Sequence, residues 1–140
     1  MIALDTNVLS ELIRSTPAPQ VVAWVDAQDA RVVTLTSITV AELRYGVARL
    51  PEGARRDLLA TAVEGLLLED FRGIALPFDA AAAAHYAEIV AARERGGRPI
   101  GMADGQIAAI CRANGARLAT RNGRDFETTG VEVLDPWRHR

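Results

Sequence analysis

The feature that most constrains the fold is a short apolar run that leads directly into an acid. Residues 2–4 are apolar and predict a buried strand, and apolar residues recur at helical spacing over residues 8–13. Asp5, Thr6 and Asn7 lie between the two patterns. In an open α/β sheet, ligands bind at the carboxyl ends of the strands. Asp5 is therefore a candidate functional residue, although Asp, Thr and Asn are also ordinary helix caps.

Length and composition favour one domain over residues 1–140, large enough to form a core without disulfides. The formal net charge of −2 argues against a nucleic-acid binder that acts through bulk positive charge. Cys111 is the single cysteine and is interpreted as a small buried hydrophobe. No apolar run reaches the ~18 residues of a membrane span, and Met1 leads into the first strand without a signal peptide. We expect a cytoplasmic protein with no membrane association.

Strand and helix patterns alternate along the chain, which predicts an α/β fold with a central parallel sheet of about four or five strands flanked by helices. After the first strand, the strands are predicted at residues 31–36, 73–78, 117–120 and 131–134. The helices after the first are predicted at residues 20–28, 39–50, 54–68 and 80–94, with a further helix opening around Asp104.

Three further acids lie close to the predicted ends of strands or starts of helices, as Asp5 does. Glu42 and Asp125 each come shortly after a predicted strand, and Asp104 falls in the first turn of a buried helix. Because the loops at the carboxyl edge of a parallel sheet lie together, these four acids are expected to converge. Local alternatives exist: Thr39 and Glu42 match a capping box, and a helix N-terminus would keep the Asp104 carboxylate ionised.

Converging carboxylates repel one another unless a hard cation lies among them. An oxygen-only donor set suits Mg²⁺ or Mn²⁺ better than Zn²⁺. Such a metal lowers the pKa of a bound water and stabilises the leaving oxygen in phosphodiester cleavage. The sequence has no serine nucleophile elbow, Cys–His pairing or P-loop, which is consistent with this chemistry. Arg98, Arg121 and Arg124 are candidate phosphate contacts, with an ordinary solvated surface as an equal alternative for each.

Four motifs, taken together, resemble the PIN domain family. They are Asp5-Thr6-Asn7 after an apolar strand, Glu42 within residues 39–46, Asp104 ahead of residues 106–109, and Asp125 within residues 120–126. The resemblance extends from Met1 to Trp137 and is strongest to the VapC-type toxins of bacterial toxin–antitoxin modules, including the FitB-like branch. Gly105 departs from the family pattern, where a larger residue is common, and is expected to loosen the start of its helix.

The resemblance implies a Mg²⁺-dependent endoribonuclease that inhibits translation, with Mn²⁺ as a substitute ion. It implies that Asp5, Glu42 and Asp104 are the main metal-binding and catalytic acids, with Asp125 as a more variable fourth. Polar support would come from Thr6, Asn7 and Asn122. It also implies a homodimer and a cognate antitoxin that blocks the acidic site and binds promoter DNA. The apolar helices at residues 20–28 and 54–68 are candidates for those protein contacts.

Two other functions are considered. A phosphatase of the haloacid-dehalogenase type also begins with a strand that ends in Asp, but Asn7 stands where its second Asp is required and the chain has no lysine. A PIN-like module that binds RNA or protein without cleavage is the alternative from another functional class. The complete set of acids argues against it.

Overall fold

Four parallel strands form the sheet of the computed structural model, which describes residues 1–139. The strands are β1 (Ile2–Leu4), β2 (Val33–Thr34), β3 (Arg117–Ala119) and β4 (Val133–Leu134), in the spatial order β2-β1-β3-β4. The helices are α1 (Thr6–Leu12), α2 (Pro19–Asp26), α3 (Ser37–Ala48), α4 (Ala54–Gly65), α5 (Ala80–Arg95) and α6 (Met102–Asn114). A π-helical turn follows α4 at Leu66–Asp70, and short 3₁₀ turns cover Gly123–Phe126 and Pro136–Arg138. The predicted α/β fold is confirmed.

The sheet brings the ends of β1 and β3 side by side. Leu4 pairs with Ala119 in the register of these strands, and the Asp5 N–H donates to the Ala119 carbonyl at 2.9 Å. Asp5 and Thr120 are therefore the first residues beyond two neighbouring parallel strands. The two residues are far apart in the chain, and the register of the strands brings both side chains to one edge of the sheet.

Apolar side chains cover both faces of the sheet, because successive residues of a strand point to opposite sides. Ile2 and Leu4 belong to a core cluster packed against α1 to α4, whereas Ala3 and Leu118 belong to a second cluster with residues of α5 and α6. Cys111 is fully buried in that second cluster, and burial raises the pKa of its thiol to about 12. Its prediction as a buried hydrophobe is confirmed.

The predicted strand at residues 73–78 is wrong. Only Leu76 pairs: its N–H donates to the Leu35 carbonyl, and its carbonyl accepts from the Ser37 N–H, both at 2.8 Å. Positive φ values at Arg72 and Gly73 turn the chain just before this point, and Pro77 has no N–H to donate. A single bridge at the sheet edge therefore replaces a fifth strand.

Gly105 has a packing role that the sequence did not predict. A Cβ at this position would lie 3.1 Å from Cε2 of Tyr86 and 3.2 Å from Cγ2 of Val90, both on α5. The glycine lets α5 and α6 approach closely, and the loosening of the helix start stays a prediction. Within residues 1–139, none of the helices is both long and apolar enough to cross a membrane.

Candidate active site

A polar cleft of about 550 Å³ lies beyond the carboxyl ends of the strands. Three of the predicted acids, Asp5, Glu42 and Asp104, line it together with the predicted supporting residues Thr6, Asn7 and Asn122. Ser10, Glu11, Arg14, Arg121 and Trp137 complete the lining. The cleft therefore gathers acids that come from the residue after β1, from α3 and from α6.

Asp5 is held by two short hydrogen bonds. Its Oδ1 accepts from the Thr6 N–H at 2.8 Å, and its Oδ2 accepts from the Thr120 hydroxyl at 2.7 Å. The Thr120 oxygen in turn accepts from Nδ2 of Asn7 and from the Asn122 N–H, each at 3.1 Å. Burial, the largest effect, raises the pKa of Asp5, and the hydrogen bonds from Thr120 and Thr6 oppose that rise. Local caps and long-range contacts thus orient one carboxylate.

Glu42 faces the cleft and does not take part in a capping box. The N-cap of α3 is Thr36, whose hydroxyl oxygen accepts from the Thr39 N–H at 3.2 Å. Glu42 lies in the second turn of that helix and accepts a hydrogen bond from the Thr6 hydroxyl at 2.8 Å. The capping interpretation is wrong because the helix begins earlier than predicted, at Ser37. The Glu42 carboxylate is exposed, and its hydrogen bond with Thr6 links it to the side of the cleft that holds Asp5.

Asp104 lies in the first turn of α6, as predicted. The direction of its pKa shift, however, is opposite to the lowering that a helix N-terminus would cause. Desolvation, followed by the negative charges of Asp5, Asp125 and Glu42, raises the pKa of Asp104 from 3.8 to about 6, while Arg93 acts in the opposite direction. Crowding by like charges and burial therefore outweigh the helix N-terminus.

Asp125 is near the cleft without lining it. It is exposed on the 3₁₀ turn Gly123–Phe126, and its charge raises the pKa of both Asp5 and Asp104. The loop is held by Arg93, which is only 6% exposed and donates from Nη1 to the carbonyls of Asp125 and Glu127 at 3.0 and 2.8 Å. Asp125 is thus an acid at the periphery of the cleft, and the buried guanidinium of Arg93 holds its backbone in place.

Of the three arginines predicted near the acids, only Arg121 lines the cleft. Arg98 is paired with Glu127 through Nη1 at 2.9 Å, and Arg124 is exposed on the 3₁₀ turn outside the cleft lining. Arg14, which was not predicted, lines the cleft and donates to both carboxylate oxygens of Glu11. The spacing of arginines along the sequence could not separate these cases.

Thr120, Arg93 and Trp137 also shape the site and were likewise not predicted. Thr120 had a usable signal, because it follows β3 as Asp5 follows β1. Arg93 and Trp137 had none, since their contacts depend on helix packing and on the path of the last residues. The sequence thus identified the acids better than the groups that orient them.

The donor set fits a hard divalent cation. Within residues 1–139, no three Asp, Glu, His or Cys side chains are gathered closely enough to form a complete metal centre. The carboxylates that face the cleft are nevertheless all oxygen donors, and their mutual repulsion is visible in the raised pKa of Asp104. A cation among them would remove that repulsion, and oxygen donors are the ligands that Mg²⁺ and Mn²⁺ prefer.

Comparison with known proteins places this site in a family. Residues 2–132 match the PIN domain. The matched range extends over most of the chain, and the fold agrees with it. The chain belongs to the PIN-domain family.

Individual relatives extend the match to nearly the whole chain. The chain is 45% identical over 137 residues to VapC ribonuclease Y4jK of Sinorhizobium fredii, with 98% of each chain covered. It is 44% identical over 137 residues to toxin FitB of Neisseria gonorrhoeae, with 98% of this chain and 99% of that protein covered. The structure of FitAB bound to an IR36 DNA fragment superposes with a TM-score of 0.91 at 42% identity, covering 100% of this chain and 98% of that one. The predicted resemblance to the VapC and FitB branch is confirmed.

Proposed function

We propose that this chain is the toxin of a type II toxin–antitoxin module and that it hydrolyses RNA phosphodiester bonds. The similarity to a VapC ribonuclease and to toxin FitB over nearly the full length of each chain supports this activity. The observation that carries it is the convergence of Asp5, Glu42 and Asp104 on one cleft at the carboxyl edge of the sheet. Inhibition of translation is the consequence expected of such a toxin.

PIN-domain nucleases of the VapC type depend on a divalent metal ion, and the acids of the cleft would hold it here. We assign Asp5, Glu42 and Asp104 as its ligands and Asp125 as a weaker contributor. Mg²⁺ is the preferred ion in this proposal and Mn²⁺ a substitute, in keeping with the oxygen donors. When bound, the ion supplies a water of lowered pKa and positive charge for the leaving oxygen.

The remaining polar residues orient this set. Thr120 and Thr6 keep the Asp5 and Glu42 carboxylates in place through the hydrogen bonds described above. Asn7 and Asn122 position the Thr120 hydroxyl by donating to its oxygen. Arg121 lines the cleft and is suited to contact a substrate phosphate. Arg98 and Arg124 lie outside the cleft lining and stay candidate phosphate contacts in this proposal.

The partner is a cognate antitoxin. Solved structures similar to this chain are FitAB and VapBC complexes, some of them bound to DNA. The toxin would therefore reach promoter DNA only indirectly, through the antitoxin. A homodimer is also expected, with α2 and α4 as candidate contact helices.

The test is cleavage of a mixed-sequence single-stranded RNA by antitoxin-free protein, with Mg²⁺ or Mn²⁺ compared with EDTA. Asp104→Asn is the active-site variant, and Asp57→Asn, in the first turn of α4, is its matched control. Cleavage that needs both metal and Asp104 supports the proposal. RNA binding without metal-dependent cleavage, also with total tRNA as substrate, would instead favour a PIN-like binding module.

A further inference from the structure

Arg121 and Trp137 meet at the rim of the acidic cleft. The guanidinium carbon of Arg121 lies over the indole of Trp137, 5.0 Å from the ring centroid. Both residues line the same cleft as Asp5, Glu42 and Asp104. A cation stacked on an aromatic ring thus borders the carboxylates.

The backbone at each of the two positions is held by a hydrogen bond. The Arg121 backbone N–H donates to Oδ1 of Asn7 at 3.3 Å, and Asn7 is joined through the Thr120 hydroxyl to the Asp5 carboxylate. The Trp137 backbone N–H donates to Oδ1 of Asp135 at 2.9 Å. The indole is half-buried, because part of it packs on the core cluster that includes Leu9 and Val21. Its remaining surface is presented to the cleft.

Arg121 is the cation of the cleft that is available to a ligand. Of the two arginines in the lining, Arg14 is already held by both carboxylate oxygens of Glu11. Arg121 is exposed and has no ion pair within residues 1–139; its charge reaches Glu11 and contributes, after the hydrogen bonds from Ala18 and Arg14, to lowering the pKa of that acid. An RNA phosphate that approaches four acids needs such a group to offset the repulsion.

We propose that Arg121 and Trp137 form a nucleotide-binding subsite beside the acids. The guanidinium edge binds a phosphate, and the unpaired base next to that phosphate stacks on the guanidinium–indole pair. This inference rests on the proposed function, because it describes how the acidic cleft binds its RNA substrate. Stacking requires an exposed base, so the subsite selects single-stranded RNA over a duplex.

The first experiment observes Trp137 directly. In a Trp24→Phe background, Trp137 is the only tryptophan, because the chain has two. A short single-stranded oligoadenylate is titrated into the metal-free protein with EDTA, which prevents cleavage. The expected result is saturable quenching of Trp137 fluorescence, with weaker quenching by the same RNA paired in a duplex. Unchanged fluorescence at saturating RNA would overturn the proposal.

The second experiment separates the two side chains. We expect Trp137→Leu to weaken RNA binding about 5- to 150-fold, the equivalent of one lost base stack, and Trp137→Phe to weaken it less. Arg121→Gln should reduce the slope of log K against log salt by about 0.7, the value for one phosphate contact on a single strand. Arg117→Gln, the same charge change at the opposite end of β3, is the matched control and should leave the slope unchanged. Circular dichroism checks the fold of each variant.

Cleavage assays with metal distinguish this inference from the proposed function. In the subsite variant Trp137→Phe, KM should rise while kcat stays close to wild type, because the ring is outside the carboxylate set. Wild-type cleavage combined with unchanged RNA binding in both the Trp137 and Arg121 variants would overturn the subsite alone. If RNA bound through Arg121 and Trp137 but no metal-dependent cleavage occurred, the nuclease proposal would be wrong and the subsite proposal would still hold.

Discussion

On one side of the acidic cleft, Asp5 and Glu42 are tied by short hydrogen bonds, whereas on the other side Asp104 and Asp125 face the charges of their neighbours. Asp5 is 6% exposed and accepts from Thr120 and Thr6. Asp104 is half-buried, and the effects on its pKa are burial and charge, with no hydrogen bond among them. The first pair is oriented before any ligand arrives; the second is held in place by its backbone.

This difference assigns different roles to the two sides. A hydrogen-bonded carboxylate keeps one direction, so Asp5 sets the position at which a cation would be held. A carboxylate whose pKa is raised to about 6 by burial and by negative neighbours gains most when a cation neutralises the cluster. We therefore expect the Asp5 side to control geometry and the Asp104 side to control how strongly the apo site is destabilised.

The largest effect is expected at Asp104. Asp104→Asn should reduce metal-dependent RNA cleavage by more than about 100-fold, since mutation of a residue that only orients a metal ligand already lowers activity about 10- to 100-fold. The fold should remain, because the change removes a charge from a repulsive cluster. Cleavage rate and thermal unfolding are the measurements, with Asp57→Asn as the control. A well-folded variant with an undiminished rate would show that Asp104 is not a ligand.

Thr120 tests the hydrogen-bonded side. Thr120→Ala should lower metal affinity or cleavage about 10- to 100-fold, as expected for a residue that orients a ligand. Thr120→Ser retains the hydroxyl that donates to Asp5 and should recover most of the loss. Isothermal titration with Mn²⁺ and cleavage kinetics would measure the two effects. Equal losses in the Ala and Ser variants would indicate that packing, and not the hydroxyl, matters.

A smaller loss is expected at Asp125. Because this acid is exposed and outside the cleft lining, Asp125→Asn should lower cleavage only partly, and by less than Asp104→Asn. The same assay, run side by side, ranks the two acids of the repulsive side. A complete loss at Asp125 would mean that it moves into the site when metal or RNA binds.

Thr36 and Glu42 separate stability from activity. Thr36→Ala removes the N-cap of α3 and should cost ~1–2 kcal/mol in the free energy of unfolding. Glu42→Gln should leave the stability nearly unchanged and reduce cleavage, since Glu42 does not cap the helix. Urea unfolding and cleavage rates of both variants test this. A stability loss at Glu42 as large as that at Thr36 would restore the capping-box interpretation.

The smallest effect concerns pH and the metal-free protein. The pKa of Asp104 is higher in the folded state than its ordinary value of 3.8, so the folded state binds more protons between pH 3.8 and about 6. The contribution of Asp104 to stability therefore falls as pH rises through this window, and the raised pKa of Asp5 acts in the same direction. Asp104→Asn should flatten this part of the stability curve, measured by urea unfolding with EDTA. If the stability of the variant fell with pH as steeply as that of the wild type, the repulsion would come from groups other than Asp104.

Local patterns predicted much of the fold and of the acid set. Apolar strands followed by acids gave Asp5 and Asp125, and Asp104 was placed in the first turn of its helix. Helix α5 begins at the predicted position, residue 80, after Asp79, whose Oδ1 accepts from the Ala82 N–H. The strand predicted at residues 73–78 was wrong because a short run of residues that favour strands resembles a strand even where only one residue, Leu76, pairs with the sheet.

What the sequence alone determined is most of the order of elements, together with the position of Asp5 at the end of a strand and of Asp104 at the start of a helix, because these depend on near neighbours. Only the tertiary structure decided which groups hold those acids. Thr6 meets Glu42 across 36 residues, and Thr120 meets Asp5 across 115. The stacking of Arg121 on Trp137 and the raised pKa of Asp104 likewise arise from packing. Charges and hydrogen bonds act through space, so their balance at the cleft exists only once the sheet has formed.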